Sequence, residues 1–253
     1  MAHGIETHGL TKHFGSVRAV DGVDLHVERG SFYGFLGPNG AGKSTTIKML
    51  TGLLAPTSGS ATLLGYDLDT HPLEIKTRLG VVPEDLCLFE NLTAREYLTF
   101  VARMYRIEKK VIGGRCDELL TLMDLVDNEK TLVIEFSHGM KKKLALAAAL
   151  IHDPEILFLD EPFEGIDAIA SRTIRRVLDT FIQRESTIFL SSHILEIVEK
   201  LCTHVGIIHE GKLIAEGPLG QLAEGASLEQ LFVQSVGKAE EPEVGLSWLR
   251  GEG

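Results

Sequence analysis

Cysteine and long apolar runs are both scarce in this chain of 253 residues. The three cysteines, Cys87, Cys116 and Cys202, are odd in number and widely spaced, so they match neither a disulfide framework nor a metal-ligand spacing. We interpret them as free thiols in a reducing compartment. The longest apolar run, residues 144–151, is much shorter than the roughly 20 residues that cross a bilayer. The sequence therefore predicts no membrane-spanning segment.

Positive charge is also in short supply. There are 25 lysines and arginines against 36 acidic residues, which leaves a net charge of −11. General nucleic-acid binders need a positive surface, so no nucleic-acid partner is expected. The first ten residues, MAHGIETHGL, lack the apolar core of a signal peptide, which favours a cytoplasmic location.

Strands alternate with helices over much of the chain. Residues 5–36 have the short alternating runs of β structure, and strand–helix alternation resumes at about residue 156. Such alternation is typical of a mostly parallel sheet with helices packed against it. We therefore predict an α/β fold with a mostly parallel core sheet and an N-terminal antiparallel β subdomain.

The middle of the chain has a different pattern. Apolar residues from about 88 to 150 follow helical spacing, and Thr93 with Glu96 forms a candidate capping box. We predict an α-helical insert over 88–150, within one domain that covers residues 1–236. A last short helix is expected at 227–236, and the acidic segment 237–253 is expected to be a flexible tail.

The segment GPNGAGKST, residues 37–45, has the G-x-x-x-x-G-K-S/T spacing of a P-loop. It follows a predicted strand and opens a predicted helix, so its backbone N–H groups and the helix N-terminus can bind phosphate oxygens. Lys43 is expected to reach the β- and γ-phosphates, and Ser44 to bind Mg²⁺. The fold is thus predicted to be a P-loop NTPase. The candidate phosphate-binding residues are Gly37, Asn39, Gly40, Ala41, Gly42, Lys43, Ser44 and Thr45.

Two acids follow a buried-strand pattern in ILFLDEP, residues 156–162. Acids at a strand end are common, but a P-loop upstream gives these two a specific role. Asp160 is expected to hold Mg²⁺ through water, and Glu161 to orient or deprotonate the attacking water.

These motifs, in this order, resemble those of the ATP-binding subunits of ABC transporters, of the exporter type. The resemblance covers about residues 5–236. It implies an ATPase that uses ATP and Mg²⁺ and dimerises with a second ATP-binding subunit, identical or different, around two ATP molecules. It also implies a separate membrane-spanning subunit, which would hold the chain at the cytoplasmic face of the membrane.

The segment FSHGM, residues 136–140, lies where this family has its LSGGQ signature. The resemblance implies that Ser137, His138, Gly139 and Met140 contact ATP bound to a second subunit, at a helix N-terminus. His138 replaces a glycine of the signature and Met140 replaces its glutamine.

Five further residues take roles from the resemblance. His193, in SSH, would contact the γ-phosphate, and Phe14 would stack on adenine with Val20 packed nearby. Glu84 stands where the family usually has a glutamine near Mg²⁺, and a carboxylate can still accept from metal-bound water. Asp167, in EGID, keeps the acid of a loop that the family uses in cross-subunit contacts.

The lysines that follow the signature raise a separate question. Positive charge at a helix start is unfavourable, since the helix dipole favours acids there. Lys141, Lys142 and Lys143 could offset phosphate charge or face solvent, and spacing does not distinguish these. The loop at 86–93, which includes Leu88 and Phe89, is rich in apolar residues, and we expect it to line a docking groove for the membrane subunit.

Two other functions stay open at this point. Relatives outside transport use the same ATP-driven dimer on nucleic acid or ribosomes, and one fold hosts many functions. A nucleotide-binding regulator without hydrolysis is the other alternative. The presence of Lys43, Asp160, Glu161 and His193 argues against it.

Overall fold

The computed structural model describes residues 3–222 and 228–236, and two sheets organise them. The strands are β1 His3–Phe14, β2 Val17–Val23, β3 His26–Glu28, β4 Phe32–Leu36, β5 Ser58–Leu63, β6 Tyr66–Asp67, β7 Leu79–Val82, β8 Ile156–Asp160, β9 Thr187–Ser192, β10 His204–His209 and β11 Lys212–Pro218. The helices are α1 Lys43–Leu50, α2 Pro72–Lys76, α3 Ala94–Met104, α4 Lys109–Leu122, α5 His138–Leu150, α6 Ala168–Ile182, α7 Leu195–Leu201, α8 Leu219–Leu222 and α9 Leu228–Val236.

The larger sheet has six strands in the order β11-β10-β4-β9-β8-β7. Strands β10, β4, β9, β8 and β7 run parallel, and β11 returns antiparallel along one edge. Every residue of β4, β8 and β9 is buried, as expected for strands covered on both faces. Because parallel strands end at the same edge, the loops after β4, β8 and β9 lie side by side.

The smaller sheet is antiparallel, in the order β2-β1-β5-β6, with β3 also paired to β1. The long strand β1 lies inside this sheet and pairs with β2, β3 and β5. The prediction of a P-loop NTPase with a mostly parallel core and an N-terminal antiparallel β subdomain is confirmed.

Helices occupy much of the chain between β7 and β8. Thr93 caps helix α3. Its side chain accepts from the backbone N–H of Glu96, and the Glu96 carboxylate accepts from the N–H of Thr93. The predicted capping box is therefore present. The predicted tail, 237–253, and residue 227 of the predicted last helix lie outside the described residues.

Aromatic rings join the strands at the centre of the large sheet. The ring of Phe189 in β9 lies 5.2 Å from that of Tyr33, 5.3 Å from that of Phe35 and 5.4 Å from that of Phe158. Such contacts among buried rings contribute beyond their area. They hold β4, β8 and β9 together, and these strands carry the loops of the site. Within residues 3–222 and 228–236, no helix is both long enough and apolar enough to cross a membrane.

Candidate nucleotide site

Glycine shapes the loop between β4 and α1. Gly42 has φ +109°, and a Cβ there would lie 2.5 Å from the carbonyl oxygen of Ala19. A Cβ on Gly37 would lie 2.4 Å from the carbonyl oxygen of Ile208. Neither position admits another residue without movement of the backbone. The loop can therefore curl tightly enough to place the start of α1 beside the strand ends.

A cavity of about 210 Å³ opens at this loop. The first N–H groups of α1 have no partner within the helix, so they are available to phosphate oxygens. All the predicted phosphate-binding residues except Gly37 and Ala41, which are buried, line the cavity. The lining residues are Ala19, Asn39, Gly40, Gly42, Lys43, Ser44, Thr45, Glu84 and Glu161.

Lys43 is buried, with 6% of its side chain exposed. Its Nζ donates to the carbonyl oxygen of Gly37 at 2.8 Å and to that of Pro38 at 3.2 Å. The same Nζ lies 3.3 Å from Oε1 of Glu161. A buried ammonium needs such compensation, and the carboxylate supplies the opposite charge.

Glu161 follows β8 in a left-handed backbone conformation, with φ +48°. A residue with a side chain adopts this conformation only when its surroundings impose it, which is common at functional sites. Its Oε1 lies 3.0 Å from Nδ1 of His193 but without the alignment of a hydrogen bond. Both atoms are buried and keep unused hydrogen-bonding capacity. The arrangement can accept a proton from a water molecule.

Asp160 ends β8 and is almost fully buried. Burial raises the pKa of this carboxyl group, while hydrogen bonds from Ser191 and Ser44 act in the opposite direction. The hydroxyl of Ser191 donates to Oδ1 of Asp160 at 2.5 Å and accepts from the N–H of Glu161 at 3.1 Å. These bonds favour the ionised carboxylate that a metal ion requires.

Sequence reasoning did not identify Ser191, because the SSH segment pointed only to His193. Asp160 and Ser191 are paired across β8 and β9, in parallel register. A polar residue at the end of an otherwise apolar strand was the available signal, but the register that pairs it with Asp160 depends on the sheet.

The oxygens near Ser44 fit a magnesium ion. The Ser44 hydroxyl donates to Oε2 of Glu84 at 3.3 Å, and it also lies near enough to Asp160 to act on the pKa of that carboxyl group. One hydroxyl and two carboxylates form the hard oxygen set that Mg²⁺ prefers, and Mg²⁺ keeps several waters besides. The three predicted metal-binding residues thus lie together, although their role as ligands stays a prediction.

The two predicted adenine-site residues occupy different environments. Val20 is fully buried and packs against the P-loop at Gly42. Phe14 lies at the end of β1 with half of its surface exposed, and Nζ of Lys12 lies 5.4 Å from its ring centroid. An exposed aromatic face is suited to stacking, and the role of Phe14 stays a prediction.

The signature residues form a second cluster, away from the cavity lining. Ser137 caps α5, and its Oγ accepts from the N–H of Met140 at 3.3 Å. The ring of His138 lies beside Gly165, and Gly139 is packed close to Ala170. The structure therefore brings this cluster together with the loop after β8 and not with the P-loop of the same chain.

Asp167 belongs to this second cluster. Its Oδ1 accepts from the N–H groups of Ile169 and Ala170, each at 2.8 Å, so it caps α6. A Cβ on Gly139 would lie 3.7 Å from Oδ2 of Asp167. Nucleotide contact by these residues requires a second subunit, as the resemblance implies, and stays a prediction.

Two of the three lysines after the signature are buried, which corrects the expectation that they offset phosphate charge or face solvent. Lys142 is 3% exposed and Lys143 is 8% exposed. Nζ of Lys142 donates to carbonyl oxygens in the loop after β8, and Nζ of Lys143 donates to that of Asp124 at 3.4 Å. Lys141 pairs with Glu90. Sequence spacing missed these contacts because all of the acceptors are distant in the chain.

The fold and the P-loop cavity define a P-loop NTPase, and comparison with known proteins defines its family. The model of the ABC transporter family matches residues 20–164. Bacitracin transport ATP-binding protein BcrA of Bacillus licheniformis is 47% identical over 219 residues, which cover 86% of this chain and 71% of that protein. Linearmycin resistance ATP-binding protein LnrL of Bacillus subtilis (strain 168) is 35% identical, over 93% of this chain and 76% of that protein.

Solved structures agree. The structure of the ATP-binding subunit of an ABC transporter has a TM-score of 0.85 and 31% identity, and the match covers 91% of this chain and 98% of that one. A post-hydrolysis dimer of the cassette MJ0796 with ADP and Pi, at 22% identity and a TM-score of 0.77, supports the fold alone. The chain belongs to the ABC transporter family as an ATP-binding subunit, an ATPase that uses ATP and Mg²⁺. The predicted family is confirmed.

Replacing Ser191 with alanine is expected to weaken Mg²⁺ binding. The change removes a hydrogen bond to a buried carboxylate, an interaction of about 1.5–3 kcal/mol, and so raises the pKa of Asp160 further. We expect the Mg²⁺ concentration for half-maximal ATPase activity to increase about tenfold or more. The defect should be smaller at higher pH, where more Asp160 is ionised. Ser192→Ala is the control, since Oγ of Ser192 accepts from Ile194 instead. An unchanged Mg²⁺ requirement in Ser191→Ala would contradict this account.

Proposed function

We propose that this chain powers an exporter of antibiotic-class compounds. In this proposal it hydrolyses ATP as a dimer, at the cytoplasmic face of the membrane, and transmits the resulting movement to a separate membrane-spanning subunit. The observation that carries the hydrolysis is the buried group at the strand ends, in which Oε1 of Glu161 lies 3.3 Å from Nζ of Lys43 and 3.0 Å from Nδ1 of His193. The class of cargo is inferred separately, from relatives.

The geometry supports a division of chemical roles. A water molecule against Oε1 of Glu161 would transfer a proton to the carboxylate as its oxygen attacks the γ-phosphorus. The bond from that phosphorus to the β–γ bridging oxygen breaks, and ADP leaves. Lys43 would stabilise negative charge on the phosphates, and His193 would hydrogen-bond the γ-phosphate. Ser44, Glu84 and Asp160 would hold Mg²⁺, which neutralises phosphate charge when bound.

The separation of two clusters supports a dimer. Ser137, His138, Gly139 and Met140 lie at the start of α5 and are absent from the cavity lining, whereas the P-loop residues line it. Two subunits in opposite orientation would place the α5 N-terminus of each against the phosphates of the other. The MJ0796 cassette is described as a dimer with ADP and Pi, which is consistent with this arrangement.

An exposed apolar groove beside α3 supports a docking site for the membrane subunit. Phe89 is 55% exposed, and its ring lies 5.1 Å from that of Phe100. Exposed apolar patches of this kind mark interaction surfaces. Leu86, the first residue of the groove, is two residues after Glu84, so the binding of a helix in the groove could affect the magnesium site. Its lining residues are Leu86, Leu88, Phe89, Glu90, Asn91, Leu92 and Phe100.

The nature of the cargo is inferred from the names of relatives. BcrA is named for bacitracin transport, LnrL for linearmycin resistance, and DrrA of Streptomyces peucetius for daunorubicin and doxorubicin resistance. These names favour antibiotic export over the alternative of a nucleic-acid or ribosomal partner.

Glu161→Gln is expected to lower ATP turnover about 100-fold or more, because an amide cannot accept the proton of the attacking water. The affinity for ATP should change little, since the phosphates are bound by the loop and Lys43. Glu199→Gln makes the same chemical change at an exposed position of α7 and should leave turnover near that of the unchanged protein. ATPase assays at saturating ATP measure both. Unchanged turnover in Glu161→Gln would exclude the catalytic assignment.

Phe89→Asp is expected to weaken association with the membrane subunit at least tenfold, because docking would bury an unpaired carboxylate. ATPase activity of the isolated chain should persist, since Phe89 does not line the nucleotide cavity. Leu73→Asp, at an exposed position of α2, is the matched control. Co-purification from solubilised membranes gives the measurement. A double variant, Phe89→Asp with Leu88→Asp, strengthens the test. If it recovers as much membrane subunit as Leu73→Asp does, the groove is not the docking site.

A bacterium that produces the chain together with its membrane subunit is expected to tolerate more bacitracin than one that produces neither. The added tolerance should depend on ATP hydrolysis, so the same pair with Glu161→Gln should not raise tolerance above the background level. The minimum inhibitory concentration is the readout, with daunorubicin and an unrelated antibiotic tested in parallel. If tolerance stays at the background level while the purified chain hydrolyses ATP, the proposed cargo is wrong and the ATPase assignment stands.

A further inference from the structure

Lys142 connects the signature helix to the catalytic loop of the same subunit. It is the fifth residue of α5, and 3% of it is exposed. Its Nζ donates to the carbonyl oxygen of Glu161 at 2.7 Å and to that of Glu164 at 2.6 Å. The ammonium therefore bonds the backbone of the residue proposed as the general base, from an element that begins at Ser137.

These contacts help to compensate for the cost of burying the Lys142 ammonium. Desolvation lowers the pKa of Lys142, against the opposing effect of the carboxylates of Glu164 and Glu161. A buried ammonium that lost its acceptors would be strongly destabilising. The two carbonyl groups must therefore stay directed at Nζ while the lysine is charged, so the lysine restricts the backbone between them.

The restricted backbone is a tight turn in an unfavourable conformation. The N–H of Glu164 donates to the carbonyl oxygen of Glu161 at 3.2 Å, which closes the turn. Glu161 has φ +48°, a left-handed value that costs of order 1–3 kcal/mol for a residue with a side chain. This conformation sets the direction of the Glu161 side chain, and with it the 3.0 Å approach of Oε1 to His193.

We propose that Lys142 is a positioning residue for ATP hydrolysis. It holds the turn that directs Oε1 of Glu161 into the site, and it couples that turn to α5, whose N-terminus carries residues 137–140. Movement of α5 on contact with a second subunit would then reach Glu161 through one side chain. The inference rests on the catalytic role proposed for Glu161.

Lys143 provides a matched control within the same helix. It is also buried, and desolvation also lowers its pKa. Its hydrogen bond, to the carbonyl oxygen of Asp124 at 3.4 Å, is longer and does not involve the catalytic turn. Loss of either lysine removes a buried ammonium from α5, so a general effect on folding should appear in both variants.

The first experiment compares Lys142→Met and Lys143→Met in the full-length chain. We expect kcat for ATP to fall about 10- to 100-fold in Lys142→Met, because small displacements of a catalytic group have effects of this size. The Kd for Mg-ATP should stay within about twofold, since Lys142 lies outside the cavity lining. Lys143→Met should keep kcat within about threefold. Equal loss of kcat in both variants, or loss of Mg-ATP binding in Lys142→Met, would overturn the proposal.

Lys142→Arg covers the case in which the methionine variant does not fold. Arginine keeps the positive charge and donors for both carbonyl groups. We expect the kcat of Lys142→Arg to be at least threefold below that of the unchanged protein, because the planar guanidinium directs its N–H groups differently from an ammonium. Its kcat should still exceed that of any neutral variant that folds, such as Lys142→Gln. A kcat for Lys142→Gln equal to that of the unchanged protein would contradict the inference.

The second experiment separates this inference from the proposed function. If Lys142 acts through Glu161, the double variant that combines Glu161→Gln with Lys142→Met or Lys142→Gln should have a kcat within about twofold of that of Glu161→Gln alone. A further loss as large as that of the single Lys142 variant would mean that the lysine acts elsewhere, which refutes the positioning role. An active Glu161→Gln single variant would instead refute the catalytic assignment, so the two failures give different results.

Discussion

The buried contact between Lys43 and Glu161 is the interaction around which the site is organised. An ammonium and a carboxylate, each about 5% exposed, lie 3.3 Å apart where β4 and β8 end. Burial of either group alone would be costly, so each stabilises the other and both require the surrounding backbone to stay in place. The glycines of the P-loop, the left-handed conformation of Glu161 and the hydroxyl of Ser191 all serve this arrangement. In the proposed mechanism these two groups are thus preorganised for the reaction, as electrostatic catalysis requires.

Parallel strands explain why these groups meet. Strands β4, β9 and β8 are neighbours with a common direction, so Lys43, His193 and Glu161 approach each other although they are far apart in sequence. The ring of Phe189 contacts rings of both neighbouring strands and so helps to hold the three strands together. The same geometry leaves the signature cluster at the start of α5 outside the cavity. This separation is what the proposed dimer requires, since a second subunit would have to supply the signature cluster.

Local motifs were predictable because their chemistry lies in adjacent residues. The P-loop needs glycines at fixed spacing followed by a helix, and the capping box at Thr93 needs a partner three residues later. Ser191 and Lys142 were not predictable in this way. Ser191 reaches Asp160 only through the register of β8 and β9, and Lys142 reaches Glu161 only because α5 packs against the loop after β8. Lysines that seemed unfavourable at a helix start are stabilised by backbone carbonyls elsewhere in the chain.

The sequence by itself determined the class of fold, the phosphate-binding loop and the identities of the charged groups, since these depend on periodicity and short spacing. The tertiary structure alone decided which of those groups meet, which are buried and which stay exposed on the surface. Strand order brings Asp160 and Ser191 to 2.5 Å, and helix packing buries Lys142 while it leaves Ser137 and His138 exposed. The reason is physical: burial and long-range pairing change the energy of a charge, and neither is encoded in the neighbours of a residue along the chain.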